Sequence, residues 1–159
     1  MDVSLLHPKP AFVLIAGEED EWNPMALSWA TPVDEDQGII AVVLWTKHKT
    51  YDVLKRKRVF TLNIVHDIQT VWNVGSVSGW KKDKRGIVEV IPGKKVGVRA
   101  KNALAWLECE VMDEKLLGES AVVFARIVHA ERTKDYNVKR VPLHVKGRLF
   151  AFPGKLVRV

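Results

Sequence analysis

Cysteine is nearly missing from this chain: Cys109 is the only one. An internal disulfide and a thiolate metal cluster are therefore excluded. Long apolar runs are missing as well. The longest, Ala11–Gly17 and Gly38–Trp45, fall far short of the roughly 20 residues of a membrane-spanning helix, and no membrane role is expected. Asp2 stands early, and the first apolar run is followed by Glu18, Glu19, Asp20 and Glu21, which does not read as a secretory signal. A cytoplasmic protein is the expectation. The chemistry of hydrolysis and of metals leaves no trace. His48, His66, His129 and His144 fall into no metal-ligand spacing with nearby acids. No Ser/His/Asp set is spaced for a triad, although one built from distant residues would leave no local pattern. No metal is expected, and Cys109, among apolar neighbours, reads as core.

What is present is a chain of 159 residues, 47% hydrophobic and 28% charged. That balance describes one globular domain over residues 1–159 with a sizeable core. The formal net charge is +6, and Lys and Arg gather at Lys47–Arg58, Lys81–Arg85 and Lys94–Lys101. Such patches attract nucleic acid, acidic partners or cofactor phosphates, or simply solubilise the surface. Nucleic acid is not expected: only Trp80 is interleaved with a basic run, and no reader motif accompanies the charge.

Pro10–Gly17, Ile39–Trp45 and Val59–Val65 read as strands. Ala103–Leu116 and Ala121–Thr133 read as a long hairpin turning at Leu117–Ser120. Pro142–Val145 and Arg148–Phe152 form a short one around Lys146-Gly147. Ile87–Val90 reads as a short extended piece before a Pro92-Gly93 turn. Thr50–Lys57 reads as a helix with Thr50 as N-cap, and His66–Val74 as another with Asp67 capping. Two or three short helices interrupting strands predict a mainly β fold, a closed or split β-barrel, since closure removes exposed edges.

Three stretches carry candidate chemistry. Trp22–Val33 is too apolar for an ordinary loop and too broken by Pro24 and Pro32 for a regular strand. Asn23, Ser28 and Thr31 sit among Met25, Leu27, Trp29 and Val33, suiting a flat ligand with polar edges. An irregular edge strand filling the core is the plainer alternative. Thr46-Lys47-His48-Lys49-Thr50 leads a strand into a helix N-terminus, an anion site in composition. An extended chain would turn Thr46, His48 and Thr50 one way and Lys47 and Lys49 the other. A capped helix with solvated charge explains the same residues. Gly75–Lys84 offers glycines, hydroxyls and lysines for a phosphate nest, or a mobile surface loop. His144 stands alone as a possible substrate-side residue.

In this order, these stretches resemble the flavin reductase-like family of FMN-binding split barrels, over nearly the whole chain. Asn23-x-Met25-x-x-Ser28-Trp29-x-Thr31-Pro32-Val33 looks like the isoalloxazine-binding stretch, and Lys49-Thr50-Tyr51 like the phosphate-side strand end. Phe60-x-x-Asn63, Gly75-x-x-Ser78-Gly79-x-x-x-Asp83-Lys84 and Val122-x-Phe124 are similar to the segments that follow. Thr46 and His48 stand where members often carry Ser and Arg, and Arg85-Gly86 where a Phe commonly follows Asp-Lys. The resemblance implies FMN bound by Asn23, Met25, Ala26, Leu27, Ser28, Trp29 and Thr31 at the ring. It puts the phosphate among Thr46, Lys47, His48, Lys49, Thr50, Ser78, Gly79, Trp80 and Lys84. Trp29 and Trp80 are candidates to cover the ring, with core packing the favoured role for Trp29. NADH or NADPH is the implied electron donor, and a homodimer the implied assembly. The activity implied is an NAD(P)H-dependent flavin or ferric reductase. A flavoredoxin-like electron carrier with a redox protein partner is the alternative.

Overall fold

The computed structural model describes residues 2–159. Twelve strands, two α-helices and two short 3-10 turns follow one another along the chain. The strands are β1 (Lys9–Pro10), β2 (Phe12–Glu18), β3 (Glu21–Leu27), β4 (Ala30–Asp34), β5 (Ile39–Trp45), β6 (Val59–Ile64), β7 (Val90–Pro92), β8 (Val98–Ala100), β9 (Ala105–Leu117), β10 (Ser120–Arg132), β11 (Leu143–Lys146) and β12 (Leu149–Ala151). The helices are α1 (Lys49–Lys57) and α2 (Ile68–Ser76). None is long and apolar enough to cross a membrane.

Seven strands form one antiparallel sheet in the order β3-β2-β6-β9-β10-β5-β4. The prolines decide its ends. Pro24 lies in β3 and Pro32 in β4; neither can donate to a ladder, and edge positions tolerate that loss. Yet β3 and β4 are consecutive in the chain, joined by Ser28 and Trp29 alone. Their facing ends, Leu27 and Ala30, are then at most about 11 Å apart, so the two ends of the sheet curl toward each other. Bulges between Phe124 and Ala125 and between Ile127 and His129 add to the bend. No ladder joins β3 to β4, so the fold is mainly β, a curled sheet whose hydrogen bonding stays open; of the closed or split barrel expected, the closed form is not made.

The curl encloses a core. Leu14, Leu27, Val42, Phe60, Leu62 and Cys109 come from both ends and the middle of the strand order and pack into one cluster. Fully burying each large side chain contributes about 1.5–3 kcal/mol. Tyr51, Val53 and Leu54 of α1 join it. On the other face Val13, Ile15 and Trp106 pack with Val71 and Val74 of α2 and Val98 of β8. The β7–β8 hairpin is anchored there by Glu108, fully buried. Its carboxylate accepts from the backbone N–H of Lys94 (2.8 Å), Lys95 (2.6 Å) and Val96 (3.1 Å) and from Trp106 Nε1 (3.1 Å).

Three local expectations change, and one stretch left unassigned gains structure. Thr50 is not the N-cap of α1; His48 is, without a side-chain cap bond, because the Thr50 hydroxyl is buried and engaged elsewhere. Helix α2 starts at Ile68 and runs on to Ser76, taking in Gly75 and Ser76 from the segment read as loop; Asp67 caps it as expected, accepting from Gln69 and Thr70 N–H. The extended piece lies at Val90–Pro92 in place of Ile87–Val90. The Lys94–Lys101 patch contains a turn and strand β8: the Glu108 carboxylate draws that turn's amides inward.

Candidate functional site

After β5 the chain turns at once, the His48 N–H donating to the Trp45 carbonyl (3.0 Å), and α1 begins. The turn overrides strand alternation. Lys47, His48, Lys49 and Thr50 all line one cleft of about 250 Å³, together with Gly75–Gly79, Met25, Ala26 and Lys84. Two segments read separately in the sequence thus face each other. Close approach explains their glycines: a Cβ on Gly75 would lie 2.8 Å from that of Ala26, and one on Gly79 2.9 Å from Asn23 Oδ1.

The electrostatics are those of an anion site. Lys84 is buried, and among the described residues its ammonium donates only to neutral carbonyls, of Val74 (2.7 Å) and Pro24 (3.3 Å). Burial pulls it from the ordinary 10.5 down to about 8. Buried charge is expected to be paired, and no carboxylate pairs with Lys84 among the described residues. His48 Nδ1 is buried with no hydrogen-bond partner among the described residues. Burial, and then the Lys84 charge, hold its imidazole below the usual range. The first turn of α1 adds free backbone N–H groups and the positive end of a helix dipole. A cation lacking a counter-ion, an orphaned ring nitrogen and a glycine-lined wall fit a phosphate group.

Two further clefts share Ala26 with this one. One, of about 530 Å³, runs along Met25–Trp29 and is walled by Val43, Leu44, Trp45, His48 and Ser120. It is broad and apolar, and since β3 is an edge strand its outer backbone groups lack ladder partners. The other, of about 200 Å³, adds Trp72 of α2 and His144, Gly147 and Phe150 of the β11–β12 hairpin. The His144 ring lies 5.3 Å from that of Phe150 and 5.3 Å from that of His7.

Of the residues singled out in the sequence, Met25, Ala26, Leu27, Ser28, Trp29, Lys47, His48, Lys49, Thr50, Ser78, Gly79 and Lys84 are brought together here. His144 adjoins them. Four are placed elsewhere. Asn23 lies beneath the cleft, donating through Nδ2 to Thr50 Oγ1 (2.7 Å) and to the Pro24 carbonyl (3.2 Å); it positions α1 against β3. The Thr46 hydroxyl donates to the Glu119 carbonyl (3.0 Å) outside the cleft. Thr31 lines an apolar patch on the outer face of β4, β5 and β10. Trp80 is largely exposed, and its Nε1 latches the loop to the Lys47 carbonyl (2.9 Å). Trp29 is not core: it is 44% exposed, at the junction of the broad cleft and the outer patch. The sequence reading passed over Trp45, Trp72, Phe150 and Ser120. Trp45 was marked only by its place at the end of a continuous apolar strand, directly before the anion-type stretch.

The family model described as flavin reductase like domain matches residues 4–152. An uncharacterised protein of Pyrococcus abyssi is 30% identical over 127 residues, covering 78% of this chain and 74% of that protein. An FMN-binding protein from Thermus thermophilus, with bound p-hydroxybenzaldehyde, superposes with a TM-score of 0.91 at 20% identity, covering 99% of this chain and 93% of the other. A flavoredoxin from Methanosarcina acetivorans does so with a TM-score of 0.88 at 23% identity, covering 96% and 88%.

Proposed function

This chain belongs to the flavin reductase-like domain family, and on that premise we propose that it is an FMN-dependent oxidoreductase drawing electrons from NADH or NADPH. The acceptor is a flavin, a ferric chelate or a protein. The observation that carries the reading is the buried Lys84 ammonium without a counter-ion beside the orphaned His48 nitrogen. FMN, when bound, supplies the redox chemistry, taking hydride from a nicotinamide and passing electrons onward.

The residues present fit that group. Lys47–Thr50 at the α1 N-terminus, Ser78 and Gly79 across the cleft, and Lys84 beneath would hold the phosphate. Met25–Trp29, facing Trp45, would hold the ring. The chain then has no acid or base to supply: it orients two flat reactants, excludes water and presents N–H dipoles to developing negative charge. That agrees with a sequence in which no triad or metal-ligand spacing is legible. The curled sheet is proposed to be the split barrel of the FMN-binding type. The outer apolar patch, with Trp29, Ala41, Val43 and Val122, is proposed to pair two copies. Val43 and Trp29 also line the broad cleft, so the second copy would close its open side.

A second reading, an electron carrier docking an acidic redox protein, is favoured by Lys81 and Lys82. Both are exposed beside the cleft, and neither forms an ion pair among the described residues. Equilibrium binding of FMN against riboflavin tests the phosphate site. The expectation is that FMN binds at least about tenfold tighter, the worth of one charge-assisted hydrogen bond; equal affinity would refute the placement.

A further inference from the structure

We propose that the open end of the curled sheet, remote from the flavin cleft, binds a small molecule with an apolar body and one carboxylate. Helix α1 ends one residue before β6 begins and packs Tyr51, Val53 and Leu54 into the interior cluster, so it covers the end where β6 starts. At the opposite end, where β2 and β9 begin and β6 and β10 stop, a cleft of about 590 Å³ opens. Its floor is the core itself: Leu62 belongs to the interior cluster, and Phe12 and Leu107 pack against it. Ile64, two residues beyond Leu62 in β6 and so on the same face, extends the apolar wall. The mouth of a curved sheet, floored by apolar side chains, is a common place for a small ligand.

One cation is turned toward this space by a defect in the strand. In β10 the odd positions Ala121, Val123 and Ala125 face the interior, and strict alternation would bring Glu131 inward and send Arg132 out. The bulge between Ile127 and His129 reverses that. Beyond it Ala130 stands opposite Leu107 and Arg132 opposite Ala105. Directly opposed residues share a face, so both lie on the interior side, where they line the cleft. The Arg132 guanidinium lies 5.8 Å from the centroid of the Tyr136 ring, which also lines the cleft. Such a contact steadies the fork while leaving N–H donors free. Arg132 pairs with no carboxylate among the described residues. The adjacent acid is already engaged, Glu131 with Lys94 (2.6 Å) and with His129 (3.1 Å). One fork over an apolar floor matches one carboxylate on an apolar body. A neutral ligand would meet the floor and leave the cation unanswered.

Two sources offer this chemistry, an aliphatic acid and an aryl acid. Calorimetric titration separates them, using octanoate, 3-phenylpropanoate and their neutral amides against wild type, Arg132→Gln and Ala130→Trp, each with and without FMN. At least one acid should bind wild type, and Arg132→Gln should bind it about tenfold or more weakly with amide affinity unchanged. Ala130→Trp fills the mouth and should weaken acid and amide alike, with FMN affinity unchanged in both variants. Binding by octanoate alone names the aliphatic acid as occupant, and binding by 3-phenylpropanoate alone the aryl acid; binding by both assigns recognition to the carboxylate. Thermal unfolding reports whether Ala130→Trp folds, and if it does not, Arg132→Gln decides. The proposal is overturned if neither acid binds wild type at millimolar concentration, if Arg132→Gln binds the acids as well as wild type does, or if a folded Ala130→Trp does. An acid that FMN displaces would overturn it too, because that acid would occupy the flavin cleft.

Discussion

Lys84 carries both the electrostatics of the cleft and its pH dependence. Its folded value, about 8, lies below the ordinary 10.5. Between those limits the unfolded chain binds more protons than the folded one, so the free protein gains stability as pH rises. FMN binding should run the other way. A phosphate monoester is fully dianionic above about pH 7 and favours the charged ammonium, so affinity should fall above about pH 8, approaching tenfold per pH unit. Lys84→Met should bind FMN weakly, with no pH dependence there; titrating both proteins by flavin fluorescence checks this, and a flat wild-type profile would contradict it. Asn23 makes a complementary case. In Asn23→Ala the buried Thr50 hydroxyl loses its donor, and a stability loss of about 1–3 kcal/mol is expected by denaturant unfolding. FMN affinity should fall only as far as α1 shifts.

At the scale of elements, glycines and a buried carboxylate set how closely segments approach. A Cβ on Gly79 would stand 2.9 Å from Asn23 Oδ1 and 3.1 Å from Lys49 Cβ, and Asn23 is held by its own hydrogen bonds. Gly79→Ala should therefore push the loop off the α1 N-terminus, costing about 1–3 kcal/mol of stability and weakening FMN more than riboflavin, as paired titrations would show. Removing the Glu108 carboxylate in Glu108→Ala should cost at least the ~1.5–3 kcal/mol of one charge-assisted bond, read by thermal unfolding. Burial raises the Glu108 acid value, but the amides of Lys94, Lys95 and Val96 and the Trp106 ring outweigh it and bring it below the ordinary 4.5. The stability it supplies is therefore present above 4.5 and lost as pH falls through the lowered value. Most elements were legible because their signals are local: the apolar run Ile39–Trp45, the long hairpin, Asp67 before α2. Strand β8 was not, since the lysines before it read as solvated charge until a carboxylate from β9 is known to collect their amides. The bond from Asn23 to Thr50 was not legible for a similar reason. A hydrogen-bonding residue in an apolar stretch looks the same whether it faces a ligand or Thr50.

For the whole molecule, the resemblance covered the chain and gave the family. The sequence could not show that β3 and β4, adjacent in the chain, would end at opposite sides of one curled sheet; that follows from long-range pairing, with Pro24 and Pro32 as its only local trace. The same curl lays the outer patch beside the broad cleft. The proposed homodimer would bury that patch, and a stable one covers roughly 800 Å² per partner. Wild type is expected to sediment as a dimer at micromolar concentration, and Val43→Glu as a monomer with weakened FMN binding. A flavin-loaded wild-type monomer would refute this assembly. Flavin-dependent oxidoreduction is tested by one spectrum: purified protein loaded with FMN, freed of unbound flavin and mixed anaerobically with NADH and then NADPH. Retained flavin absorbance that bleaches promptly with one of the nucleotides is the predicted result. Retained flavin that neither nucleotide bleaches would contradict the reductase in favour of the carrier, and a protein that retains no flavin and turns none over would contradict both.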